Sequence, residues 1–302
     1  MMNKNMQRII SVCLLAVSGV LFFSCASSKA APAAGHSGSS VWKISKNGNT
    51  LFLGGSIHVL RDDDFPLPPQ YDLAYAQSAR LVLETDVELL ETEEMANYMM
   101  SQMFLPGGET LQTILSPDTY ALLTEKSLAY GFRIEVVSNF KPSMVIMLLT
   151  MLQIQELGYT QQGIDYHYLY KAKNDNKPVE YLESVESQIH MVVTMGEGYE
   201  NDYVLYSLQD MDSSETVLDT ILADWRTGEP ASSETSLEEM RADWPVMYKT
   251  LVTDRNEAWI PQIERFLDSG TVYFVVAGLL HMHGPDGLLR LLKDKGYTIE
   301  QL

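Results

Sequence analysis

Two stretches of this chain join glycine to histidine in the same way. Residues 51–58 read LFLGGSIH and residues 274–281 read FVVAGLLH, each an apolar run, two small residues and then G-x-x-H. Glycine lets the backbone turn sharply and lets a ligand approach where a Cβ would clash. The imidazole then stands just past the carboxyl end of a strand, where sites in open α/β sheets collect. One such motif is best read as a histidine capping its own loop. Two copies, one near each end of the folded part, point to a single centre shared by His58 and His281. Internal duplication with purely structural histidines is the competing explanation. Two neutral imidazoles and a carboxylate suit a divalent metal, and Glu84 ends another apolar run, LVLE.

These residues need strands to carry them. VWKIS and TLFLG flank Asn47-Gly48, the dipeptide of a tight hairpin turn. LVLE and PVEYLES read as further strands, and TVYFVVAG as a strand buried on both faces. A short strand after Gly296 closes the chain. Between them, residues 91–157 carry Met, Leu and Ala at helical spacing. KPSMVIMLLTMLQIQELG reads as a buried core helix, because acid and amide groups follow its apolar run. Residues 191–247 form an acidic helical insertion with a solvated loop near GEPASSETSLEE, and DRNEAWIPQIERFLDSG is an amphipathic helix. The expected fold is α/β (α+β): a central mixed sheet bearing two matched strand–GxxH units, with a large helical part. Residues 41–302 form one domain.

The chain has 302 residues and a formal charge of −19. So acidic a surface argues against nucleic acid as a partner and against electrostatic docking on anionic lipid. Residues 1–24 have the pattern of a secretory signal: Lys4 and Arg8, then an apolar run too short to span a bilayer comfortably. It ends LFFSC, which resembles a bacterial lipobox with Cys25 as the lipidated residue, although Phe22 stands where Leu is usual. The chain's other cysteine, Cys13, lies inside the signal, so the exported part has no disulfide and Cys25 is free for another use. Residues 25–40 are rich in Ala, Ser and Gly and read as a flexible tether. The domain is expected in the cell envelope, anchored to a bacterial membrane.

The blocks LFLGGSIHVL, LVLETD, GIDYHYLYKAK, KPVEYLESVESQ, DRNEAW and AGLLHMHGPDGLLRLLKDKGYTIE resemble the TraB/PrgY/GumN family, bacterial relatives of the Tiki metalloproteases. The last block is the most specific, with Gly278, His281, Gly284, Gly287, Leu288, Gly296 and Tyr297 all fitting. The resemblance implies a metal-dependent hydrolase, with His58 and His281 as metal ligands and Glu84 as a ligand or the proton acceptor for water. It carries over Arg255 and Asn256 as the family's Arg-Asn pair, and Asp165 and Glu183 at positions whose roles are open. His283 departs from the pattern: it is an extra ligand, a proton carrier or an accident of sequence. Read from the residues alone, Arg255 equally well pairs on the surface with Asp254 or Glu257, and Asp165 is a first-turn helix acid. His167 and His190 read as packing or surface residues.

Two functions follow. The first is an exported, lipid-anchored metallohydrolase, acting as a peptidase on a peptide or protein substrate. Manganese, cobalt, zinc and iron all suit its ligands. The second is a binding lipoprotein that sequesters a peptide signal or a haem-like ligand without turnover.

Overall fold

The computed structural model describes residues 38–160, 162–211 and 214–302. The signal, Cys25 and the tether up to residue 37 lie outside the described residues. Six strands make one sheet: β1 (Val41–Lys46), β2 (Asn49–Ser56), β3 (Arg80–Leu83), β4 (Val179–Tyr181), β5 (Tyr273–Gly278) and β6 (Thr298–Gln301). The principal helices, in chain order, are α1 (Pro69–Gln77), α2 (Glu93–Gln102), α3 (Pro117–Ala129), α4 (Pro142–Glu156), α5 (Ile164–Asn174), α6 (Val185–Val193), α7 (Glu200–Met211), α8 (Ser214–Thr227), α9 (Ala231–Asp243), α10 (Asp254–Asp268) and α11 (Leu288–Asp294).

The sheet runs β4-β3-β5-β2-β1-β6 and is mixed. β4, β3, β5 and β2 are parallel neighbours, while β1 pairs antiparallel with both β2 and β6. Asn47 and Gly48 both take positive φ (53° and 85°), which closes the β1–β2 hairpin as their sequence predicts. β5 lies in the middle of the sheet, and its Phe274, Val275, Val276 and Ala277 are fully buried. Its unbroken apolar run follows from burial on both faces. The two strands that carry the G-x-x-H motifs are therefore adjacent and parallel, although their sequence positions differ by more than two hundred residues. Their register is offset by one from the motif match: Gly55 faces Ala277, and Ser56 faces Gly278.

The described residues fall into two compact units. One holds the sheet and comprises residues 38–84, 162–182 and 216–302; the other is helical and comprises residues 85–160 and 183–215. The acidic stretch 191–247 is thus shared between them. In the helical unit, α4 begins at Pro142 and buries apolar side chains on every face, from Met144 through Leu149 to Ile154. Among the described residues no helix is long and apolar enough to cross a membrane.

The expected loop near residues 228–239 is instead mostly helix. Gly228 turns at φ 71° and α9 follows from Ala231. Ser233, Ser236, Leu237 and Met240 are buried along one face of α9. Two of those four are serines, so the apolar stripe is diluted below what a periodicity reading detects.

Candidate active site

The motif histidines meet in the sheet unit, beside the carboxyl ends of β2, β3 and β5. His58 follows β2, and His281 ends a short 3-10 turn, Leu279–His281, directly after β5. Glu84 follows β3 and is buried, with a side chain 7% exposed. The backbone N–H of Gly278 donates to Glu84 Oε1 at 2.6 Å, which fixes the carboxylate against the end of β5. His58 Nε2 lies 3.8 Å from the same oxygen. A Cβ on Gly278 would stand 3.2 Å from His58 Nε2, 3.3 Å from Glu84 Oε1 and 3.5 Å from His281 Cδ2. The glycine therefore keeps open the space into which all three groups project. Gly278→Ala is expected to lower stability by less than about 2 kcal/mol, since these contacts are tight but yielding, and to weaken any divalent-cation binding at this cluster by about tenfold or more. Calorimetric titration beside urea unfolding checks both numbers.

Each imidazole is held through its Nδ1. His58 Nδ1 is 2.7 Å from Asp165 Oδ2, and that carboxylate also accepts from Ser56 Oγ at 2.6 Å. Asp165 sits in the first turn of α5, and the Ile164 N–H donates to Ile57 O at 3.1 Å. His281 Nδ1 is 2.7 Å from Asn256 Oδ1. The Asn256 amide donates through Nδ2 to the carbonyls of His281 (3.2 Å) and Asp286 (2.8 Å), so its oxygen must face the ring as an acceptor. The His281 proton is therefore on Nδ1, and Nε2 carries the lone pair. Asp165 and Asn256 hold the rings as outer partners hold metal-binding histidines, fixing tautomer and direction.

Arg255 completes the cluster from α10, two residues past the π turn Lys249–Thr253. Its Nη2 donates to Glu84 Oε2 at 2.5 Å and its Nη1 to His281 Nε2 at 2.8 Å. The guanidinium lies 4.6 Å from the ring centre of Trp259, one helical turn further on. Asp254, the surface alternative for Arg255, bonds Lys249 instead.

The charges follow from these contacts. Burial opposes ionisation of Glu84, but Arg255 and His58, together with the Gly278 N–H, hold its pKa down at about 2. Burial would lower the His58 pKa, yet Asp165 and then Glu84 outweigh it and raise the value to about 9. His281 is pushed down to about 3 by burial and by Arg255. The cluster thus holds a cationic His58, a neutral His281 and an ionised Glu84.

This donor set suits a divalent cation in chemistry: two anchored imidazoles and a carboxylate. The 3.8 Å between His58 Nε2 and Glu84 Oε1 is near the roughly 3.4 Å expected of two tetrahedral ligands at bond lengths of about 2.1 Å. Among the described residues, however, no three His, Cys, Asp or Glu side chains form a group that could hold a metal ion. Arg255 lies between Glu84 and His281.

His283 is buried against the edge of Trp42 (ring centres 5.4 Å apart), and burial lowers its pKa to about 4. Its Nε2 has no hydrogen-bond partner among the described residues. Glu183 directly follows Leu182, whose backbone N–H donates to Leu83 O at 3.0 Å beyond the end of β4. His190 is exposed on α6, and His167 packs against Phe65 and Tyr168. Four contributors, Ser56, Tyr71, Trp225 and Trp259, were missed in the sequence. Ser56 lies inside the first motif and Trp259 stands four residues after Arg255, so local spacing could have found both. Trp225 had no such signal: its Nε1 donates to Gly55 O (3.1 Å) and to the Tyr71 hydroxyl (2.6 Å), while that hydroxyl donates to Gly55 O (2.5 Å). Together they clamp the first motif's glycine.

The sequence model of the TraB/PrgY/gumN family matches residues 40–301. The uncharacterized protein YbaP of Escherichia coli (strain K12) is 29% identical over 256 residues, covering 83% of this chain and 90% of the relative. YbaP of Shigella flexneri is 28% identical over 246 residues, covering 80% and 87%. No solved structure matches the chain.

Proposed function

The chain belongs to the TraB/PrgY/gumN family, and from that premise we propose that it is a metal-dependent hydrolase acting on a peptide or protein. The observation that carries the reading is the pair of imidazoles, each tied at Nδ1, with His58 Nε2 3.8 Å from the buried Glu84 carboxylate and His281 Nε2 on the Arg255 guanidinium that also bonds Glu84. His58 and His281 would hold the cation through Nε2, and Glu84 would supply the negative charge of the ligand set. A divalent cation in such a set lowers the pKa of water toward neutrality and polarises a carbonyl. Asp165 and Asn256 keep the two rings from rotating, which preserves their aim without reorganisation. The Gly278 N–H holds the carboxylate in place, and the Arg255 guanidinium is a charged donor beside it.

A pH dependence follows from His58. With its pKa near 9, the ring carries a proton on each nitrogen at neutral pH, and it must release the Nε2 proton before it can act as a ligand. Cation affinity should therefore rise with pH up to about 9, with about one proton released per site at pH 7. Calorimetry in buffers of different ionisation enthalpy reads that proton.

The deciding experiment joins metal analysis of protein purified without a histidine tag to a peptide-library cleavage screen on wild type and His281→Ala. Bound metal and cleavage in wild type, both lost in the variant and in chelator, support the proposal. A peptide that is captured but returned intact by metal-loaded protein favours sequestration instead. We also propose that the domain works in the cell envelope, tethered by lipid on Cys25. Incorporation of labelled fatty acid that survives Cys25→Ser would sink that assignment.

A further inference from the structure

We propose that Arg255 is a resident rival of the metal: its guanidinium holds the one lone pair of His281 that a cation would need and pairs with the charge of Glu84, so the centre opens to metal only when this side chain withdraws. The proposal rests on the metal-dependent reading above and adds how that centre is controlled.

The geometry leaves little choice. His281 has one proton and one lone pair, and Asn256 takes the proton at 2.7 Å. The remaining lone pair, on Nε2, accepts from Arg255 Nη1 at 2.8 Å. One lone pair does not serve both an N–H donor and a metal. On the other side of the fork, Nη2 engages Glu84 Oε2 at 2.5 Å, while Glu84 Oε1 is already bonded to the Gly278 N–H. The same planar cation thus bridges two of the three expected ligands.

The identity of the residue matters. A guanidinium keeps its charge throughout the accessible pH range, so alkali does not remove the rival. Its rigid fork spans two acceptors at once, whereas a lysine ammonium is a point charge on a flexible stem. Arg255 is carried on a long side chain with several rotatable bonds near the start of α10, so rotation of that side chain is the withdrawal the proposal requires. While it stays, its positive charge repels an arriving cation across a short, largely dehydrated distance, for its side chain is only 12% exposed.

The test compares full-length wild type, Arg255→Met and Arg255→Lys. Cobalt(II) is titrated into each and followed by its visible absorption and by heat, and the rise in melting temperature with cobalt gives a second measure. Arg255→Met is expected to bind cobalt about tenfold or more tightly than wild type, with a correspondingly larger melting shift, and Arg255→Lys to fall between. Uptake by the variant where wild type takes none is the extreme form of the same result. Equal or weaker binding by Arg255→Met, with wild type binding, overturns the inference and leaves the metal reading intact. No cobalt uptake by any of the three at millimolar concentration removes the metal reading and this inference with it. If Arg255→Met does not fold, Arg255→Lys decides: tighter binding than wild type supports the rivalry, and equal or weaker binding overturns it.

Discussion

Glu84→Gln should lower the stability of the protein by about 3–5 kcal/mol and, on the proposed hydrolase reading, its turnover by about 10³-fold or more. The substitution is nearly isosteric, so packing is not the cause. Glu84 is the carboxylate facing the Arg255 guanidinium, and His58 carries a second positive charge 3.8 Å from its Oε1. Removing this negative charge leaves two buried cations with Asp165 alone to balance them, and an uncompensated buried charge is the costly case. Exposed pairs are a useful contrast. Arg80 and Glu180 are 3.0 Å apart with side chains 42% and 36% exposed, and Glu180→Gln should change stability by less than about 1 kcal/mol. The pH dependence separates charge from shape. The folded-state pKa of Glu84 is depressed from 4.5 to about 2, so its contribution is full above pH 4.5 and fades as pH falls toward 2. The stability gap between wild type and Glu84→Gln should close over that window. Denaturant unfolding at a series of pH values measures it, and a gap that persists at pH 2 would assign the loss to packing.

The second large effect is expected at Gly163→Ala. Gly163 has an ordinary φ of −72°, so alanine meets no backbone strain there. The obstacle is space. A Cβ would lie 2.3 Å from both the carbonyl carbon and the oxygen of His58 and 2.4 Å from Ile57 O. These are backbone atoms and do not rotate away, so either the start of α5 or the loop carrying His58 must move by most of an ångström. Either movement strains the Ile164 N–H to Ile57 O bond and separates Asp165 from the ring it aims. We expect a loss of about 3 kcal/mol or more, and a fall in turnover of about 10²-fold from misplacement alone. Thermal melts and the cobalt titration read the two parts. The second motif repeats the device: a Cβ on Gly287, which precedes α11, would lie 2.2 Å from His283 O. Gly48→Ala is the control for mere loss of glycine, since nothing lies within 4 Å of a Cβ there and only its positive φ, 85°, is at stake.

Much of this arrangement was legible in one dimension. The hairpin at Asn47-Gly48, the buried run of β5 and the apolar helix α4 are written in turn chemistry and hydrophobic period, which depend on neighbours a few residues away. The matched motifs announced that two strands would end alike, and Glu84 was marked by its place at the end of a third. Tertiary structure alone decided that β5 inserts between β2 and β3, which makes one centre of three segments, and that the motif strands pair one residue out of step. It also turned Arg255 inward to Glu84, where a surface pair with its own helix was equally consistent with the sequence. Asp165 and Asn256 likewise acquired their rings only through folding, each about a hundred or fewer residues from its partner in the chain yet in direct contact. The reason is the same throughout. Local patterns set which face of an element is apolar, but the partner of a buried polar group is chosen by whichever distant element packs there, and that choice has no period in the sequence.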